Sequence, residues 1–201
     1  RLARPLLGPD LPDAVLERIV AESFDFDIPL NRLDDRTHVL ELFHGPTLAF
    51  KDFAARFMAR MVAYFVEGEP RELHILVATS GDTGSAVAHG FLGVPGIRLH
   101  VLFPSGRVSG VQEAQLTTAG QNVTALEVAG SFDDCQRLVK AAFLDSDVRA
   151  RLKTSSANSI NVARLVPQSF YHCWAWSRLP DRSLPVVISV PSGNFGNLTG
   201  G

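Results

Sequence analysis

The 201 residues are 46% apolar, with a formal net charge of -2 and a pI near 6.3, enough apolar side chain to bury a sizeable core and to exclude wholesale disorder. No basic stripe is present to receive nucleic acid, and no apolar run approaches the length that spans a bilayer. The two cysteines, Cys135 and Cys173, stand in no metal or redox spacing, so a reducing, cytoplasmic setting is expected; Arg1 in place of Met suggests that the true start lies upstream.

A helix start at Leu11-Pro12-Asp13 puts Val15, Leu16, Ile19 and Val20 on one face. Residues 39–43 form a short strand candidate, broken by Gly45-Pro46. A helix over 51–66 follows, with Phe53, Phe57, Met61 and Tyr64 at helical spacing. Residues 73–78 (LHILVA) are a continuous apolar run of strand length, as in a strand buried on both faces. The alternation then continues: a helix near 83–92, a strand at 98–103, a helix at 108–118, a strand at 122–128 and a helix at 132–144. After the polar stretch 154–161 another helix runs to about Arg178. The run 185–190 (PVVISV) reads as a second buried strand. Strands alternating with helices predict an α/β fold with a mainly parallel open sheet and helices on both faces. The aromatic residues Phe53, Phe57, Tyr64, Trp174 and Trp176 are expected in the core. A buried strand and Gly-rich loop call for a covering helix, yet the chain stops at Gly200-Gly201, which reads as an incomplete fold.

Ligands of open α/β sheets sit beyond the C-terminal strand ends, where helix N-termini offer free N–H groups and partial positive charge to anions. Two strand–loop–helix junctions of small residues fit: Thr79-Ser80-Gly81-Asp82-Thr83-Gly84, and Ser192-Gly193-Asn194-Phe195-Gly196-Asn197. A third candidate is Asn158-Ser159-Ile160-Asn161, just ahead of Arg164, because amide and hydroxyl donors beside a guanidinium suit a phosphate. Each loop taken singly also resembles an ordinary helix cap; three in one chain point to anions. Neither a GxGxxG fingerprint nor a GK[ST] triplet occurs, which disfavours dinucleotides and nucleoside triphosphates.

Only three lysines occur, Lys51, Lys140 and Lys153. Lys51 opens a helix, where the macrodipole disfavours a cation, and Phe50 and Phe53 imply apolar surroundings that disfavour it further. Both effects would free the amine as a nucleophile of the kind Schiff-base chemistry requires; the alternative is a lysine with its head in solvent, the commoner fate of lysines, and position alone does not decide between them. Lys140 and Lys153 read as surface lysines. His44, beside the Gly-Pro turn, reads as a structural histidine.

The run Glu41-Leu42-Phe43-His44-Gly45-Pro46-Thr47-Leu48-Ala49-Phe50-Lys51-Asp52 resembles the cofactor-lysine segment of the threonine synthase family. The runs from Ala78 to Gly84, Asn158 to Asn161 and Pro191 to Asn197 match the same family in the same order. The resemblance implies the fold shared with tryptophan synthase β and the serine and threonine dehydratases (fold type II), and pyridoxal 5'-phosphate as cofactor. It further implies a large domain beginning in 1–70 and resumed, incomplete, in 151–201, with a smaller mobile α/β domain over 71–150. Lys51 would hold the cofactor as an imine and shuttle protons. The loop of Gly193, Asn194, Phe195, Gly196 and Asn197 would cradle the cofactor phosphate. Thr79, Ser80, Asp82 and Thr83 would bind the substrate α-carboxylate, with Asp82 near the pyridine hydroxyl. Asp82 stands where many relatives carry Asn, and a carboxylate donates no hydrogen bond unless protonated. Asn158, Ser159 and Arg164 would hold the substrate phosphate. The residue facing the pyridine nitrogen would lie beyond Gly201. The implied reaction is O-phospho-L-homoserine plus water giving L-threonine and phosphate, with a dehydratase, a phospho-lyase or an inactive anion-binding module as alternatives. Substrate carboxylate, substrate phosphate and cofactor phosphate need three anion sites, the number of candidate loops.

Overall fold

A computed structural model describes residues 3–8, 10–159 and 161–201; Arg1 and Ile160, both cited above, lie outside the described residues. Two helices, α1 (Arg4–Leu7) and α2 (Asp13–Ser23), lead into an antiparallel hairpin of β1 (Leu30–Arg32) and β2 (His38–Leu40). Asp34 closes its turn, accepting the N–H groups of Arg36 and Thr37 at 2.8 Å each. The strand expected over 39–43 stops at Leu40. Its next partner is Pro29, which accepts the Glu41 N–H at 3.0 Å but has no N–H to return.

The long helix α3 (Lys51–Val66) is the structural spine. Phe57 and Met61 pack against Leu16 and Ile19 of α2, whereas Ala55, Met58 and Ala59 join the sheet core. The sheet is built from β3 (Leu73–Ala78), α4 (Asp82–Phe91), β4 (Ile97–Pro104), α5 (Gly110–Thr117), β5 (Val123–Val128), α6 (Phe132–Leu144), α7 (Ser146–Arg151) and β6 (Lys153–Ser156). Its four strands run parallel in the order β5-β4-β3-β6. The strand period of two sorts the side chains. Ile75, Val77, Leu99 and Val101 meet Ala86, Val87 and Phe91 of α4 on one face. Leu76, Ala78 and Leu102 meet Cys135 and Val139 of α6 on the other. A 3-10 turn (Val162–Arg164), α8 (Val166–Arg178) and α9 (Gly196–Thr199) complete the described residues. Among the described residues no helix is long and apolar enough to cross a membrane.

Three expectations are corrected. The polar stretch 154–161 begins inside β6, an edge strand held by its ladder with β3 through the pairing of Leu73 with Lys153 to that of Leu76 with Ser156. Residues 185–190 form no strand: among the described residues nothing pairs with them, and Val187 is 94% exposed. An apolar run becomes a buried strand only where a neighbouring strand takes up its N–H and C=O groups. Trp174 and Trp176 are exposed rather than core. The face of α8 turned to α3 uses Pro167, Phe170 and Tyr171. Two tryptophans two positions apart on a helix cannot share a face. Trp174 instead donates its indole N–H to the Ile28 carbonyl at 3.0 Å and lies under Arg178.

Candidate active site

The loop before α3 is tied down by Asp52, whose buried carboxylate accepts the Thr47 N–H at 2.9 Å and the Thr47 hydroxyl at 2.7 Å. Gly45 makes this possible, because a Cβ there would lie 2.5 Å from Asp52 Oδ2. Leu48, at φ 58°, takes the left-handed conformation that a side chain rarely adopts. The braced loop delivers Lys51 at the first position of α3 with most of its side chain buried. Its Nζ lies 4.3 Å from the Phe50 ring centroid and 3.6 Å from Asp82 Oδ2. Burial is the main force pushing the Lys51 pKa below its ordinary value; Asp82 opposes it and Arg164 adds to it.

Asp82 opens α4, so two helix N-termini meet at the lysine. Asp82 Oδ1 accepts a hydrogen bond from Gln112 Nε2 on α5 at 2.6 Å. Thr79 is buried and its hydroxyl serves the turn itself: it donates to the Gly81 carbonyl at 2.9 Å and accepts the N–H groups of Gly84 at 2.9 Å and Gly81 at 3.2 Å. Gly84 is obligatory beneath it, since a Cβ would lie 2.4 Å from Thr79 Cγ2. Ser80 is exposed and Thr83 half-buried on the rim of the same turn.

Arg164, in the 3-10 turn, is buried, and that burial pulls its pKa down to about 10, which leaves it charged at neutral pH. Its Nη1 donates to the Ala157 carbonyl at 2.5 Å, while its buried Nε has no hydrogen-bond partner and it forms no salt bridge among the described residues. Asn158 spends its side-chain amide on the backbone of Ala78, accepting the N–H at 3.1 Å and donating to the C=O at 2.8 Å, and so extends the sheet beyond β6. Ser159 stays exposed.

The loop over 191–197 is closed by Asn197. Its Nδ2 donates to the Pro191 carbonyl at 2.9 Å and its Oδ1 accepts the Ser192 hydroxyl at 2.5 Å. Phe195 holds φ 56°, another left-handed non-glycine. The N–H groups of Gly193, Asn194, Phe195 and Gly196 meet no acceptor among the described residues. A Cβ on Gly196 would touch Leu165 and Ser159 at 3.9 Å and Gln168 at 4.0 Å, and Gln168 Nε2 donates to the Arg164 carbonyl at 2.6 Å. The loop therefore abuts the turn that carries Arg164.

The structure thus brings Lys51, Asp82 and Arg164 together, sets the loop containing Gly196 beside Ser159, and spends the polar groups of Thr79 and Asn158 on backbone. Sequence reasoning missed Asp52, Gln112 and Gln168. Asp52 had a legible signal, an acid in the first turn of a helix after a Gly-Pro break. The partner of Gln112 lies thirty residues away in the chain. His44 pairs with Glu41 at 2.6 Å.

A family model described as pyridoxal-phosphate dependent enzyme matches residues 28–201. Threonine synthase from Serratia marcescens is 46% identical over all of this chain, which covers 47% of that relative. The crystal structure of threonine synthase from Escherichia coli superposes on the whole chain with a TM-score of 0.90 at 43% identity, over 46% of its own length. A pyridoxal-phosphate-bound threonine synthase from Brucella melitensis gives 0.86 at 42% identity over 99% of this chain and 45% of its own. The chain spans about half the length of the relatives it matches. The family model spans residues 28–201, most of the sequence, and the chain belongs to the pyridoxal-phosphate-dependent enzymes.

Proposed function

We propose that the protein converts O-phospho-L-homoserine and water to L-threonine and phosphate, as a cytoplasmic enzyme with pyridoxal phosphate attached at Lys51. The observation that carries the reading is the buried Arg164 guanidinium, close enough to Lys51 to depress its pKa and lacking a carboxylate partner among the described residues. A buried guanidinium without a carboxylate partner is unfavourable until an anion neutralises it. The residues fit the cofactor: Lys51 offers the amine, and the N–H groups of Gly193 to Gly196, without acceptors among the described residues, suit a phosphate, with Asn197 keeping that loop in shape.

Pyridoxal phosphate, when bound, supplies the electron sink that lets negative charge develop at substrate carbons. The protein supplies the rest. Lys51 Nζ, once freed by substrate, carries protons at Cα and Cβ, and burial, which lowers its pKa, favours the neutral amine relative to an ordinary lysine. Arg164 holds the substrate phosphate, with Ser159 beside it, and stabilises the charge on the departing group. Ser80, Thr83 and the backbone of the turn that Thr79 braces receive the α-carboxylate. Asp82 sets its Oδ2 3.6 Å from the Lys51 amine. The relatives, about twice as long as this chain, are named threonine synthases, which supports threonine as the product.

The test is product analysis on the full-length protein with pyridoxal phosphate and O-phospho-L-homoserine. Threonine and phosphate formed one to one support the reading. Phosphate with 2-oxobutyrate would show a phospho-lyase, and no phosphate release would remove the substrate assignment.

A further inference from the structure

Asp82 is held from two sides. Its Oδ2 faces Lys51 Nζ at 3.6 Å and its Oδ1 accepts from Gln112 Nε2 at 2.6 Å. Gln112 is itself fixed: its Oε1 accepts the Ser109 N–H at 3.2 Å while its own N–H donates to Ser109 Oγ at 3.3 Å, the reciprocal box that starts α5. The amide orientation follows, because the oxygen is taken by a donor and the NH2 must point at the carboxylate. Room for that approach comes from Gly81, where a Cβ would lie 3.2 Å from Gln112 Nε2. A helix cap thus becomes a strut between α5 and the opening turn of α4.

We infer that Gln112 is a positioning residue of the active site: its amide holds the Asp82 carboxylate turned toward Lys51, so that α5, which supplies no group to the reacting atoms, sets the charge beside the amine. The inference rests on Lys51 as the cofactor lysine. A side-chain NH2 donated to a carboxylate restricts the rotamers of that carboxylate. The charged groups facing Lys51 are Asp82 from α4 and Arg164 from the 3-10 turn, with opposite effects on the amine. With Asp82 free to swing toward solvent, Arg164 is left as the dominant neighbour and the protonated nitrogen loses its counter-ion.

The experiment uses the full-length holoenzyme and follows the pH midpoint of the visible absorbance of the lysine-bound cofactor, a readout independent of turnover. Gln112→Met, close in size but without a donor, should lower that midpoint by about half a unit to one unit, the shift expected when an opposite charge a few ångströms away is removed from a half-exposed site. Asp82→Asn should lower it similarly, and Gln112→Met should add nothing in the Asp82→Asn background, because one acts through the other. Ser109→Ala removes the cap hydroxyl but keeps the strut; it should lower the unfolding midpoint and leave the pH midpoint in place. A pH midpoint unmoved by Gln112→Met, or an equal further shift in the double variant, would overturn the inference. Failure of the underlying reading is distinct: wild-type protein would then carry cofactor on a lysine other than Lys51.

Discussion

Thr79→Val separates two roles for a residue that the family resemblance places on the substrate. The substitution keeps the shape and removes the hydroxyl. Three hydrogen bonds disappear: the donation to the Gly81 carbonyl and the acceptances from Gly84 and Gly81. They are not equally missed. The Gly84 N–H and the Gly81 carbonyl still have each other at 3.0 Å, so the Gly81 N–H alone is stranded. At about 1 kcal/mol per neutral bond, with some compensation from the surviving pair and from water at half-buried Gly81, the loss is about 2 kcal/mol. For an α/β domain near this size the unfolding midpoint should drop by roughly 4–8 °C. The assay is thermal unfolding followed by circular dichroism on the cofactor-free protein, alongside KM for the phosphorylated amino acid. A loosened turn predicts lower stability together with a higher KM. Unchanged stability with a raised KM would refute the reasoning, because the hydroxyl would then be contacting substrate rather than the turn.

Further outcomes follow from the same geometry. Burial lowers the Lys51 pKa, so in competitive labelling of the cofactor-free protein its amine should become reactive at lower pH than a lysine in water; labelling that rises only near the ordinary 10.5 would contradict this. Between its folded and unfolded pKa values the unfolded chain binds more protons, so the Lys51 contribution makes the cofactor-free protein more stable as pH rises through that window, and Lys51→Met should flatten that slope. Arg164→Ala should raise KM for the phosphorylated substrate about tenfold or more, the loss expected for a charge-assisted contact, with a smaller change in cofactor affinity; unaltered substrate kinetics would move the phosphate elsewhere. Gly90→Ala sets a Cβ 3.0 Å from the Ala55 carbonyl carbon, 3.1 Å from its oxygen and 3.2 Å from the Arg56 nitrogen. Overpacking of about 1–3 kcal/mol outweighs a helix-propensity gain of about 1 kcal/mol, so α4 should shift off α3 and the unfolding midpoint should fall by a few degrees. A rise in the midpoint would show that the two helices have slack.

What could be read in advance depended on whether the cause was local. β3 was legible because LHILVA is apolar on both faces and is buried on both, between α4 and α6. The start of α3 at Lys51 was legible because Gly45-Pro46 breaks the chain just before a run at helical spacing. β6 was not, since Lys-Thr-Ser-Ser has no apolar face and exists as a strand only through its ladder with β3. Residues 185–190 failed in the opposite sense: composition favours a strand, but composition cannot supply the neighbour. The site divides along the same line. Lys51 and Arg164 are candidates by residue type and neighbouring loop and Asp82 by the family resemblance, whereas Gln112 carries no such signal, because its reach to Asp82 depends on how α4 and α5 pack. Asn158 and Thr79 were recognisable as polar groups near a site, and only the fold shows that their hydrogen-bonding capacity goes to Ala78, Gly81 and Gly84.

The central claim is that one buried amine at the head of α3 carries the cofactor. Borohydride reduction of the full-length protein after loading with pyridoxal phosphate, followed by peptide mass spectrometry, reads this directly. The account predicts a reduced pyridoxyl group on the peptide containing Lys51 and none on those containing Lys140 or Lys153, with the label absent from Lys51→Ala. Label on either of the other two lysines, or an unlabelled Lys51 in protein that retains the cofactor, would contradict it.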